Sequence, residues 1–180
     1  MNAMNTHYPD AGKAEAVNRH TLAVIVDNEP GVLARISGMF SGRGYNIESL
    51  TVSETEEARH LSRLTIVTTG TDAVLEQIKA QLDRLVPVHR VVDLTLQGSA
   101  LERELCLVKV AGRGEHRGEA LRLAAAFGAK TLDATLTSFV FELTGATEEI
   151  DRFIGLMTVL GLVEISRTGI AAMGRGPDPM

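Results

Sequence analysis

The chain has 180 residues, 44% of them hydrophobic but only 4% aromatic and none of them Trp, and a formal net charge of −5. The length suits one large or two small domains with a core of Leu, Val, Ile and Ala, and the acidic balance argues against sequence-independent nucleic-acid binding, which needs a basic face. No stretch approaches the roughly 18 apolar residues of a membrane span, and Met1–Asn18 is polar without the apolar centre of a secretory signal, so a cytoplasmic protein is expected.

Residues 1–18 have no periodicity and read as a loose arm. His20–Asp27 alternates Leu22, Val24 and Val26 with Ala23 and Ile25. Both faces are apolar, which predicts a central strand covered on both sides. Pro30 suits the first turn of a helix, Leu33, Ile36 and Phe40 follow at helical spacing, and Gly44 is a left-handed stop. Asn46–Ser53 reads as a second strand with a bulge between Ile47 and Leu50, Glu54–Arg59 as a hairpin turn, and Leu61–Thr69 as a third strand. Gly70-Thr71-Asp72 supplies a break and an N-cap for a helix striped by Val74, Ile78, Leu82 and Leu85 and ended by Pro87. Val88–Leu96 is a fourth strand.

The order strand, helix, strand, strand, helix, strand is that of a ferredoxin-like βαββαβ unit. After a linker at 97–103 the order repeats. Glu104–Ala111 is a strand. Glu115–Phe127 is a helix with Leu121, Ala124 and Ala125 inward. Lys130–Ala134 and Ser138–Thr144 form a hairpin, and Thr147 caps a helix striped by Ile150, Phe153, Ile154, Met157 and Leu160. Leu162–Arg167 is the last strand, and 173–180 a Gly- and Pro-rich tail. The fold class is therefore α+β, two ferredoxin-like domains at 19–96 and 104–172, each a four-stranded antiparallel sheet with both helices on one face. The uncovered sheet face carries Val and Ile, which predicts pairing with a second copy, a homodimer or higher.

Chemistry concentrates in one turn, Asn28-Glu29-Pro30-Gly31-Val32-Leu33, between the first strand and first helix. Asn28 offers donors and an acceptor to the ammonium and carboxylate of a free amino acid. Gly31 allows close approach to the backbone, and the first-turn N–H groups beyond Pro30 suit a carboxylate. Val32, Leu33 and Ile47 can receive an aliphatic side chain. The competing reading is that Asn28 simply caps the helix.

Other motifs carry less. Gly112-Arg113-Gly114-Glu115-His116-Arg117-Gly118 suggests a dinucleotide loop, but its third Gly is one position late and the next strand reads as a hairpin. His7, His20, His60, His89 and His116 lack metal-ligand spacing. Glu102, Arg103 and Glu104 read as a solvated strand start. Cys106, the single cysteine, lies in Leu105-Cys106-Leu107-Val108 and is expected to be a buried inert thiol. No catalytic set can be assembled.

Several runs identify a family. They are Asn28–Leu33, Phe40-Ser41, Arg43-Gly44-Tyr45-Asn46-Ile47-Glu48-Ser49-Leu50-Thr51-Val52, Leu61-Ser62-Arg63-Leu64-Thr65-Ile66, and Leu75-Glu76-Gln77-Ile78 with Gln81-Leu82. In the second half they are Glu102–Leu105, Leu107-Val108-Lys109-Val110 and Val163–Gly169. Residues 20–96 resemble an ACT domain, the amino-acid-sensing ferredoxin-like module, and about 20–175 resembles the small regulatory subunits of acetolactate synthase; Arg43–Val52 is the most specific run. The resemblance implies a non-catalytic subunit in branched-chain amino-acid biosynthesis that activates a large catalytic subunit and confers feedback inhibition by valine. It implies thiamine diphosphate, Mg and FAD on that partner and no cofactor on this chain. It also implies an effector site between two ACT domains, with Asn28, Gly31, Val32 and Leu33 from one copy facing Asn46 and Ile47 of the other. Pro30 departs from members with a small polar residue there but is compatible with the turn. An amino-acid-responsive transcription regulator is the alternative, and it lacks a visible helix-turn-helix or basic stripe.

Overall fold

The structure is a computed structural model and describes residues 16–56, 60–96, 98 and 100–180. The arm over 1–15, His7, the centre of the 54–59 turn and two positions of the linker, 97 and 99, lie outside the described residues. In chain order the elements are β1 (Asn18–Asp27), α1 (Val32–Gly42), β2 (Ser49–Glu56), β3 (Leu61–Gly70), α2 (Asp72–Leu82), β4 (Val88–Asp93), β5 (Leu101–Ala111), α3 (Glu115–Ala126), β6 (Lys130–Ala134), β7 (Ser138–Gly145), α4 (Thr147–Val159) and β8 (Leu162–Met173).

Two four-stranded antiparallel sheets form, with strand orders β2-β3-β1-β4 and β6-β7-β5-β8. Both are ferredoxin-like, as the element order requires. In the first, Leu22, Val24 and Val26 of β1 and Leu64 and Ile66 of β3 pack against Ile36 and Phe40 of α1 and Leu75, Ile78 and Leu82 of α2. In the second, Cys106, Val108 and Val110 of β5 pack with Phe139, Phe141 and Leu143 of β7 and Ile150, Phe153 and Met157 of α4. With no Trp, aromatic contacts are few, and Phe127, Phe141 and Phe153 meet in this second core. Cys106 is fully buried there, and burial raises its thiol pKa.

Thr71 caps α2, its side chain accepting from the Val74 N–H at 3.4 Å. The cap of α4 is Ala146 rather than Thr147, which is the first helical residue, and the buried Thr147 hydroxyl has no hydrogen-bond partner among the described residues. α3 buries Ala120 and Ala124, whereas Leu121 and Ala125 are exposed. The inward stripe lies one position from the expected one, because a helix made largely of Ala and charged residues has little apolar contrast to fix its phase.

Several boundaries also move. β1 takes in Asn18, β4 stops at Asp93, and β5 begins at Leu101, inside the expected linker. The register shift of β2 lies between Glu54 and Glu56, not between Ile47 and Leu50. Asn46 and Ile47 precede the strand, where the Asn46 carbonyl accepts from the Thr68 hydroxyl at 2.6 Å. β8 continues to Met173, well past Arg167 and onto the first residue assigned to the tail.

That extension explains the second apolar face of the first sheet. The end of β8 lies across it, and Ala23, Val67 and Leu94 are buried with Ile170 and Ala172, with Met180 packed alongside. Side chains of the first sheet grip the β8 backbone. Thr51 Oγ1 donates to the Ile170 carbonyl at 3.0 Å, Ser49 Oγ accepts from the Ile170 N–H at 3.0 Å, and Arg63 donates to the Ala172 carbonyl at 2.7 Å. A Cβ at Gly169 would come within 2.6 Å of Ser49 Oγ, and its φ is +80°, so glycine fits this crossing on both counts. The face expected to await a second copy is therefore occupied in large part by the chain itself.

Glu102 and Glu104 are not a solvated strand start. Glu102 accepts from Arg19 and from the Thr21 hydroxyl, joining β5 to β1. Glu104 is buried and takes a two-pronged bond from Arg167, at 2.7 Å from Nε and 2.6 Å from Nη2, while Arg167 Nη1 reaches Asp151 at 2.7 Å. The bond to Glu104 is the main cause that raises the Arg167 pKa. Removing one partner of such a pair strands the other charge. Arg167→Met is expected to lower stability by about 2–3 kcal/mol, since Arg167 is partly exposed, and adding Glu104→Gln should recover most of the loss. Urea denaturation of the two single variants and the double checks this, and strict additivity would contradict the coupling.

Candidate functional site

β1 ends at Asp27, whose N–H bonds the Pro87 carbonyl at 2.9 Å, and the Asn28 N–H bonds the His60 carbonyl at 2.6 Å. These bonds anchor the turn at the end of the sheet where β3 begins. Gly31 is the N-cap of α1 in the left-handed region, φ +90° and ψ −10°, and no side chain caps the helix. Asn28 therefore does not act as a cap, and its exposed side chain makes no hydrogen bond among the described residues. The first turn beyond Gly31 is left with N–H groups directed outward, an arrangement that suits an acceptor from outside. Val32 is buried, Leu33 is 45% exposed, and Gly31 has open space where a Cβ would stand.

Asn46 and Ile47 belong to the segment entering β2. Asn46 is exposed, and Ile47 packs against the first core. In the sheet register His20 faces Thr68 and Asp27 faces Leu61, so the turn and the Asn46 segment sit at opposite ends of the same sheet. Seven residues of β1 separate those ends, about 23 Å at a rise of about 3.3 Å per residue. Within one chain the structure brings Asn28, Gly31, Val32 and Leu33 together, and it does not bring Asn46 and Ile47 to them. Among the described residues β2 is an edge strand, paired only with β3.

Elsewhere, the loop before α3 is not a dinucleotide site. β5 pairs with β7 and β8, and β6 is joined antiparallel to β7, so the parallel crossover that such a site needs does not form. Arg117, the second arginine of that motif, stacks 4.0 Å over the Phe139 ring. Among the described residues no three His, Cys, Asp or Glu side chains converge as metal ligands, and no helix is long and apolar enough to cross a membrane. His89 meets Asp27 at 2.6 Å. A cavity of about 460 Å³ lies between the two halves, lined by Arg19, Glu48, Ser49, Arg167 and Gly169 among others, away from the turn.

One buried polar pair escaped sequence reasoning. His20 Nδ1 lies 2.8 Å from Asp93 Oδ2, both groups buried, and Asp93 Oδ1 accepts the Thr95 N–H at 2.9 Å. The two residues are 73 positions apart, and only the β1–β4 register that seats Asp93 opposite Leu22 places them side by side.

Comparison with known proteins follows the same division. Residues 22–90 match the family model described as the AHAS small subunit-like ACT domain, and residues 103–176 match the small subunit of acetolactate synthase. The chain is 48% identical over 158 residues to the probable acetolactate synthase small subunit of Archaeoglobus fulgidus, covering 88% of this chain and 98% of that one. This chain belongs to the acetolactate synthase small-subunit family. It is 43% identical over 163 residues to the acetolactate synthase isozyme 3 small subunit of Escherichia coli, covering 90% of this chain and 99% of that one. The crystal structure of the small subunit from Thermotoga maritima superposes with a TM-score of 0.81 at 37% identity, covering 89% of this chain and 99% of that chain. Family membership therefore spans both ferredoxin-like units, and the turn at Asn28–Leu33 and the segment at Asn46–Ile47 both fall within the ACT match.

The conformation of Gly31 gives a direct check on the turn. A side chain there meets open space but must adopt a left-handed backbone. Gly31→Ala is expected to cost about 1 kcal/mol. Gly31→Asp should cost less, because Asp tolerates the left-handed region better than Ala and its charge suits the helix N-terminus. Urea midpoints of the two variants measure this, and a stabilised Gly31→Ala, as helix propensity alone would give, would contradict the assigned conformation.

Proposed function

We propose that this chain is the non-catalytic regulatory subunit of an acetolactate synthase, activating a large catalytic subunit and conferring feedback inhibition by valine. The observation that carries the effector site is the placement of its two halves at opposite ends of one sheet that has a free β2 edge. In that sheet β2 starts at the Asn46 end and finishes, at Glu56, beside the Asn28 end. Pairing two β2 edges antiparallel about a two-fold axis brings the turn of one copy beside the Asn46 segment of the other. Asn28 and the first-turn N–H groups then meet the carboxylate and ammonium of the amino acid, and Val32, Leu33 and Ile47 surround its isopropyl group.

Valine held across two copies stabilises the paired arrangement over alternatives. It alters the catalytic partner only through that differential affinity, since a ligand shifts only states that it binds unequally. The thiamine diphosphate, Mg and FAD chemistry belongs to the catalytic partner, and this chain contributes an amino-acid sensor and a docking body in the cytoplasm. With the open sheet face occupied by β8, the free edge is what supports a homodimer.

The decisive experiment is acetolactate formation from pyruvate by the cognate catalytic subunit, with and without this chain and with and without valine. Activation that valine reverses is expected, and no effect at saturating chain would refute the role. Asn28→Ala should raise the valine concentration for half-inhibition at least about tenfold while leaving activation intact, the loss of a hydrogen bond to a charged group. An unchanged inhibition constant would remove Asn28 from the site. Sedimentation velocity should give a dimer that valine tightens, and a monomer mass at every concentration would refute the two-copy site.

A further inference from the structure

The tail and the open face of the first sheet enclose a cleft that no residue of the turn lines. Its volume is about 700 Å³, and its lining includes Arg63, Arg90, Arg175 and Asp178 over walls of Val92, Leu94 and Met180. Arg63 and Arg90 are both register partners of Ile25, one on each side of β1, so they stand on the same face. Their Cα atoms are about 10 Å apart at the usual strand spacing of about 4.8 Å. Arg175, from the segment just after β8, lines the same cleft.

In a chain of net charge −5 this is an unusual concentration of cations. None of the three arginines makes an ion pair among the described residues. Arg63 is half-buried, and its guanidinium has the Ala172 carbonyl as partner. Burial pushes the Arg63 pKa down, the mark of a cation drawn from water without an anion to compensate it. Arginine forks are shaped for the paired oxygens of phosphate and carboxylate groups, and a cleft of this volume holds a small metabolite rather than a single ion.

We propose that this cleft binds a small metabolite carrying a compact multivalent oxyanion, held between Arg63 and Arg90 of the sheet and Arg175 of the tail. The anion bridges the ACT sheet and the segment after β8, so its binding fastens the two halves of the molecule together. Asp178 is the one acidic residue in the lining and competes with the ligand for the guanidinium groups. No residue of the turn lines the site, which goes beyond the regulatory reading. It can be tested on the full chain alone, so its failure is distinguishable from failure of the valine site.

Isothermal titration of the full chain with pyrophosphate and with citrate, against chloride at matched ionic strength, tests it. Saturable binding is expected for at least one of the two, and which one binds separates a phosphate from a carboxylate ligand. Arg90→Gln alters an exposed side chain with no hydrogen bond among the described residues, so folding should be intact, and it should weaken binding about tenfold. Asp178→Asn should tighten binding, and Arg113→Gln, remote from the cleft, should leave it unchanged. Absence of saturable binding to either anion at millimolar concentration, or equal affinities for the Arg90 and Arg113 variants, would overturn the site.

Discussion

The arrangement of this molecule depends on one crossing, the passage of the end of β8 over the open face of the first sheet. A ferredoxin-like unit of this size has one sheet face covered by its own helices and one left over. Here the leftover face receives Ile170 and Ala172 as a small second core, and Ser49, Thr51 and Arg63 satisfy β8 backbone groups that would otherwise be buried without partners. Glu102 and Arg19 close the same junction from the β5 side. The two units are consequently held by polar groups around a modest apolar centre, as contacts between domains of one chain commonly are.

That crossing bears on the amino-acid turn through β2. The strand that supplies Ser49 and Thr51 to β8 is the strand whose entry carries Asn46 and Ile47 and whose outer edge is free. A shift of β2 at that edge has a direct mechanical path to the second unit, by hydroxyl-to-backbone bonds, with no intervening flexible loop. The Glu104–Arg167–Asp151 cluster lies along the same strand, β8, and stiffens it against α4.

Much of this was legible in the sequence. The apolar run within His20–Asp27, the turn at Asn28–Leu33 and the repeated element order carry the topology of both units, because an apolar run and a period-3.6 stripe report which faces are buried. The run through Arg43–Val52 gave the family. What the sequence concealed was long-range. β8 past Arg167 reads as Thr, Gly, Ile, Ala and Ala, too weak an alternation to mark a strand, and its burial comes from another domain. Glu104 resembles a surface residue until Arg167 is placed opposite it, and His20 resembles a stray histidine until Asp93 is seated beside it. The phase of α3 was misread because alanines tolerate either face. The register shift lies elsewhere because Asn46 and Ile47, which look like strand residues, precede the ladder, with the Asn46 carbonyl bound to Thr68 of β3.

The grip on β8 has a mechanical character of its own. Ser49, Thr51 and Arg63 contact carbonyl and amide groups, which every residue carries, so they act as rails indifferent to the side chains passing over them. The position along the rails is set by the ladder of β8 with β5 and by shape: the bare α-carbon of Gly169 under Ser49, with Ile170 and Ala172 in their apolar seats. Because β8 is laddered to β5, the second unit can move along the rails only as one body, and on the side of the first sheet the indexing notch is a missing methyl group rather than a bond.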